Sequence, residues 1–267
     1  MAAKQGSARA PTPRRVARTQ TRARASASAE RRPTPLPRSP EEAADSAASA
    51  VARCLQAGIN RVSVELPLPL LFKTDLDDWP GGIRQQFKVA APMTERMLVE
   101  LRRVANLDGR LSPSILDEAD AVGCWSSTKI VCVLFPTAET LPTVIERADA
   151  LDEGAIVVLV NPQYTTSGQV VSDFGWGSSK RAAEAFLDGM TPAFMTTERR
   201  ISGVDARVVR AFPDDFFVYA DGELVGSSQA PPSIAAIKAM IADANKGDQG
   251  GWMARVKAQF DFNAKSL

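Results

Sequence analysis

The sequence predicts an α/β protein: a three-layer sandwich with a mostly parallel central sheet, an antiparallel hairpin at one edge and a disordered N-terminal segment. Three observations carry that expectation. Residues 129–135 and 155–160 are short, continuous Val/Ile-rich runs, the pattern of strands covered on both faces. Between them Leu141, Val144, Ile145, Ala148 and Leu151 recur at helical spacing, giving a strand–helix–strand unit with a right-handed crossover expected. Beyond residue 190 the pattern changes to four close-set strands at 194–200, 206–212, 216–220 and 223–226, with Asp221-Gly222 as a type I′ hairpin turn between the last two.

The remaining elements follow from capping and periodicity. Ser39-Pro40-Glu41-Glu42 combines a cap, a proline at the first helical position and a glutamate three residues past the cap, so a helix starts there. Ala47, Ala50, Val51, Cys54 and Leu55 continue it until Gly58 stops it. Residues 61–66 alternate polar and apolar and read as a strand. After the Gly81-Gly82 break a second helix carries Ile83, Phe87, Ala90, Met97, Leu98, Leu101 and Val104 on one stripe, and Pro92 is expected to kink or divide it. A helix is predicted at 181–190 and another at 233–245, the latter with Ile234, Ile237, Met240 and Ile241 inward.

These elements set three expected segments: 1–40 as a disordered leader, 41–246 as one α/β domain, and 247–267 as a tail with a short helix. The leader has ten basic residues against one acid, Glu30, and is otherwise Ala, Ser, Thr and Pro with almost no large apolar side chain. Such a segment buries too little to repay its ordering entropy. An Arg-rich, Ser-rich, acid-poor N-terminus is the composition of an organelle transit peptide, with Ala25-Ser26-Ala27 a reasonable processing point. Without it, 22 basic and 30 acidic residues remain, so the folded part is acidic on average, which argues against a nucleic-acid binder. A retained basic tail for nucleic acid is the alternative, but it lacks aromatic residues to stack on bases. No apolar run approaches the roughly 18 residues of a membrane span, since Pro67 and Pro69 break the greasiest stretch. Any membrane association is therefore expected to be peripheral.

Residue types narrow the chemistry. The chain has no histidine, which excludes Ser-His-Asp and Cys-His nucleophile pairs, His-ligated zinc and a His general base. Three cysteines, Cys54, Cys124 and Cys132, form no CxxC pair, and an odd number argues against a disulfide framework. No metal, cofactor or catalytic set is predicted, although Asp214 and Asp215 invite a metal reading that turn chemistry explains better.

Open α/β sheets place ligands outside the carboxyl ends of their strands, and two segments fall there. In the first, the amides of Asn161 and Gln163 could fix a polar ligand. In the second, Gly175, Gly177, Ser178 and Lys180 lie in a Gly-rich loop running into a helix, an arrangement that attracts anions. It misses the phosphate-loop spacing, because only two residues separate Gly177 from Lys180, and Ser178 as an ordinary helix cap is the simpler reading. The densest constellation is Trp79, Pro80, Gly81, Gly82, Arg84 and Gln85. The structural reading is a turn that starts the helix, and the functional one a partner-binding surface, since Trp and Arg are enriched at binding hot spots.

The segment DDWPGGIRQQFKVAAPMTERML, with GINRVSVELPLP before it and a later strand ending in NPQY, resembles a plastid domain of unknown function. That domain is shared by the low-photosystem-II-accumulation assembly factors and by a plastid adenylate kinase that carries it as an extra domain. The resemblance covers about residues 41–245. It implies a protein of the chloroplast stroma, at most peripheral at thylakoids, that assists assembly of photosystem II or a neighbouring complex by binding a protein client. The kinase motifs are missing, so that activity is not implied. The alternative expectation is an enzyme or sensor that binds a phosphometabolite or nucleotide at the loop 173–180.

Overall fold

The computed structural model describes residues 33–68, 82–164, 178–201 and 203–247. Helix α1 (Pro40–Gln56) begins as its sequence requires: the Ser39 hydroxyl accepts the Glu42 amide, and the Glu42 carboxylate accepts the Arg38 amide at 2.8 Å. Strand β1 (Arg61–Glu65) buries Val62 and Val64 and leads toward α2 (Ile83–Ala105). Pro92 lies inside α2 without dividing it. A proline in a helix interior costs about 3 kcal/mol. Here Gln86 and Ala90 before it and Met93, Met97, Leu98 and Leu101 after it are all buried on one face, which holds the two halves in line.

Strands β2 (Ser112–Asp117), β3 (Val122–Ser126) and β4 (Ile130–Leu134) follow, then α3 (Leu141–Asp149), β5 (Ile156–Val160) and α4 (Ser178–Asp188). Strands β6 (Thr191–Ile201), β7 (Val204–Ala211), β8 (Phe216–Ala220) and β9 (Glu223–Ser228) form a meander, closed by α5 (Ile234–Gly247). At the β8–β9 turn Asp221 and Gly222 both have positive φ, 49° and 88°, as a type I′ turn requires.

The nine strands among the described residues join one sheet in the order β2-β3-β4-β5-β1-β6-β7-β8-β9. Only β4–β5, β5–β1 and β1–β6 pair in parallel; the other five pairings are antiparallel. The expectation of a mostly parallel sheet with one antiparallel edge is therefore corrected. The parallel part is a four-stranded centre, and antiparallel strands extend it on both sides.

The centre is buried on both faces. Ile130, Cys132, Leu134, Val62 and Val64 pack with α1 and α2, whereas the alternating Val131, Val133, Val157 and Leu159 pack with Leu141, Val144 and Phe186 of α3 and α4. Each such side chain contributes about 1.5–3 kcal/mol of burial. A third cluster joins β7 and β8 to Ile237 and Ile241 of α5. All three cysteines are free and buried, and burial pushes the Cys54 thiol up to about 11.

The compact unit starts at Pro33, upstream of the boundary that composition placed at 41. Thr34 is buried, its hydroxyl donates to the Asp214 carboxylate at 3.0 Å, and its carbonyl accepts the Tyr219 hydroxyl at 2.8 Å. Leu36 packs against Val209, Phe217 and Tyr219. Residues 33–39 are thus a strap laid over the β7–β8 face. The 247–267 tail lies outside the described residues except for Gly247, which ends α5.

Candidate functional site

A cleft of about 980 Å³ opens at the carboxyl ends of the central strands. Its walls come from the strap and the first residue of α1, the Glu65–Leu68 exit of β1, the start of α2, the segment after β5, and the middle of β6. The volume lies at the upper end of ordinary ligand pockets.

Two strand ends shape the floor. Phe135 and Asn161, which follow β4 and β5, have left-handed backbones with φ 58° and 46°. That conformation is an outlier for a bulky residue such as Phe135 and costs of order 1–3 kcal/mol. The surroundings fix it: the Phe135 amide donates to the Val160 carbonyl at 2.9 Å and the Asn161 amide to the Val64 carbonyl at 2.8 Å. The Asn161 side chain then grips the chain leaving β1, accepting the Leu66 amide at 2.7 Å and donating to the Leu66 carbonyl at 2.9 Å. Gln163 acts likewise, its Nε2 donating to the carbonyls of Asp120 at 2.8 Å and Phe135 at 3.0 Å.

Both amides expected to hold a ligand therefore line the cleft, but their donors already hold its walls in place. The polar groups left for chemistry are ones the sequence reading did not single out. Glu65, the last residue of β1, lines the cleft, and its carboxylate has no hydrogen bond or ion pair among the described residues. Burial raises its pKa above 4.5, and the positive charge of Arg199 on β6 opposes part of that rise. The Tyr164 hydroxyl is buried without a hydrogen-bond partner among the described residues, and burial pushes its pKa up. A signal for Glu65 existed, since it closes an alternating strand at its carboxyl end. Nothing in the sequence marked Arg199, whose place depends on the pairing of β6 beside β1.

The other predicted residues separate. Gly82 is the N-cap of α2, and its carbonyl accepts the amides of Gln85 and Gln86. Arg84 and Gln85 are exposed, whereas Ile83 and Gln86 of the same turn line the cleft. Trp79, Pro80, Gly81, Gly175 and Gly177 lie outside the described residues. Ser178 is the first residue of α4, and Lys180, half-buried in that helix's first turn, is not among the residues lining the cleft. Asp214 anchors the strap through Thr34, and its backbone carbonyl accepts Arg210 Nε at 3.2 Å.

Among the described residues no three or more acidic, Cys or His side chains group as a metal site, and no helix is long and apolar enough to cross a membrane. The fold and its cleft define an α/β protein with a mixed nine-stranded sheet and a recess at the carboxyl ends of its parallel centre. Residues 37–239 match the family described as Domain of unknown function (DUF1995), and the chain belongs to that family. No curated protein and no solved structure matched the chain. The matched span contains every described wall of the cleft except Leu36.

Proposed function

We propose that this protein is a non-enzymatic assembly or regulatory factor that binds a protein client at the cleft and the adjacent first turn of α2. The client belongs, in this reading, to photosystem II or another thylakoid complex. The protein works in the chloroplast stroma, at most peripherally on the membrane, after its basic leader has served as a transit peptide. The observation that carries the reading is the split of one helical turn: Ile83 and Gln86 face the cleft while Arg84 and Gln85 stand exposed beside it. A partner entering the cleft would meet both pairs, and exposed Arg beside a partly apolar recess is a common hot-spot arrangement. The central strands, with α1 and α2 on one face and α3 and α4 on the other, serve as a three-layer platform for that surface. The test compares thylakoid complexes with and without the protein and after complementation by an Arg84→Glu/Gln85→Glu variant. One photosystem should fail to accumulate without the protein, and the folded variant should not restore it; unchanged complexes would sink the proposal.

A second reading is favoured by Glu65 and Tyr164, two residues lining one cleft whose polar side-chain groups have no hydrogen-bond partner among the described residues. It makes the cleft a small-molecule site, in an enzyme or a sensor of nucleotides or phosphometabolites. Ligand binding to the folded state alone raises the melting temperature by mass action. A panel of nucleotides and sugar phosphates that leaves the melting temperature unchanged would remove this reading.

A further inference from the structure

Three guanidinium groups from three different elements surround the cleft without a side-chain hydrogen bond or ion pair among the described residues. Arg38 belongs to the strap and Arg199 to β6, and both line the cleft. Arg84 follows Ile83, which also lines it. Two other guanidinium groups are already committed: Arg207, which lines the same cleft, pairs with Glu198 at 3.2 Å, and Arg96 pairs with Asp45 away from it. From Pro33 onward the chain holds 23 basic and 30 acidic residues, so acids are in excess and free arginines gathered at one recess run against the average.

We propose that the cleft accepts an acidic segment of the partner protein, with carboxylates meeting Arg38 and Arg199 at the walls and Arg84 beside them. This rests on the client-binding reading above and names the chemistry of the client. A guanidinium presents paired donors that match a carboxylate, and it holds such pairs better than an ammonium does. Leu36, Leu66 and Leu68 give apolar wall for the intervening side chains. Two carboxylates, Glu65 and Glu198, share the cleft: Arg207 pairs with Glu198 at 3.2 Å, and the charge of Arg199 opposes that of Glu65. A nucleic acid fits less well. The acidic domain repels a long polyanion, and Phe135, only 2% exposed, offers no face for base stacking.

The test uses the full chain and a fluorescent peptide, acetyl-Leu-Glu-Glu-Leu-Glu-Glu amide, followed by anisotropy. The comparators are the same peptide with every Glu replaced by Gln, and a decauridylate. The basic leader contributes equally to every variant, so only differences between variants count. Arg38→Glu and Arg199→Glu should each weaken the Glu peptide about tenfold, as should raising salt from about 50 to about 300 mM. Both residues are exposed; Arg38→Glu should leave melting unchanged, whereas Arg199 also opposes the charge of Glu65, so Arg199→Gln serves as the milder variant and binding is compared well below each protein's melting temperature. Equal binding of the Gln peptide, or charge-reversed variants that bind like the wild type, would overturn the inference. Tighter, arginine-dependent binding of decauridylate would also overturn it and assign the cleft to nucleic acid. If the acid dependence is absent while the Arg84/Gln85 variant still fails to restore the photosystem, only this inference is lost.

Discussion

Asn161 holds Leu66 by both ends of its side-chain amide: Oδ1 accepts the Leu66 amide at 2.7 Å and Nδ2 donates to the Leu66 carbonyl at 2.9 Å. The pair ties the exit of β1 to the exit of β5 across 95 residues of sequence, and both residues line the cleft. Asparagine suits the position twice, because its own backbone is left-handed at φ 46°. Asn161→Ala leaves two backbone groups of Leu66 without their partner and is expected to cost roughly 2–3 kcal/mol. Asn161→Gly loses the same bonds but relieves the backbone, so it should be less destabilised by about 1 kcal/mol. Chemical denaturation of the three proteins checks this; equal stability of all three would show that the clamp carries no energy.

Glu65 predicts a pH dependence with a definite sign. Its folded-state pKa is raised by burial above the 4.5 of an ordinary glutamate, so across that window the folded state binds more proton than the unfolded one. Stability from this group is present below 4.5 and is lost as the pH climbs through the raised value. Glu65→Gln, which mimics the protonated acid, should match the wild type near about pH 4 and become the more stable protein toward about pH 8. Arg199→Gln should steepen the wild-type decline, because Arg199 holds the Glu65 pKa down. Thermal melts across this range decide the matter, and a constant gap between Glu65→Gln and wild type would refute it.

The strap makes a prediction about where the folded protein begins. A chain that starts at Pro33 retains the Thr34–Asp214 and Tyr219–Thr34 hydrogen bonds and the packing of Leu36. A chain that starts at Glu41 loses all of them, together with Leu36–Pro40 of the cleft wall. The longer form should melt higher, and Tyr219→Phe in it should cost about 1 kcal/mol, the net worth of one buried hydrogen bond. Identical melting of the two forms would mean that the strap is not part of the stable core.

Sequence patterns served best where an element carries its own signal. The Ser39 cap, the Val-rich runs of β4 and β5 and the Asp221-Gly222 turn each state their structure within a few residues. Strands β2 and β3 carry no such statement. Edge strand β2 opens with exposed Ser112 and Pro113, β3 is buried along Val122–Trp125 and contains Gly123, and the turn between them uses Ala121 at φ 52° rather than a glycine. Without that hairpin the sheet looked mostly parallel. The cleft was half legible for a related reason: strand ends located Asn161 and Gln163, but Arg199 and the strap reach it through pairings between distant segments. Residues 33–38 looked like leader because proline and arginine dominate them, while their structural role rests on Thr34 and Leu36.

Gly123 shows what that missed hairpin does for the core. A Cβ placed there would come within 2.8 Å of Phe87 Cε2 and 3.3 Å of the Trp125 ring, so the glycine lets α2 lay Phe87 directly over β3. Trp125 is anchored on the same helix, its indole nitrogen donating to Glu95 at 3.3 Å. Gly123→Ala must push the Phe87 ring aside and is expected to cost about 1–3 kcal/mol by overpacking. The far end of Phe87 is what obstructs it, so Phe87→Leu should remove much of the penalty. In a double-mutant cycle the two substitutions should couple favourably by at least about 0.5 kcal/mol. Additive effects would place the strain elsewhere, in the β3 backbone or against Trp125, and Trp125→Phe in the Gly123→Ala background would then tell which.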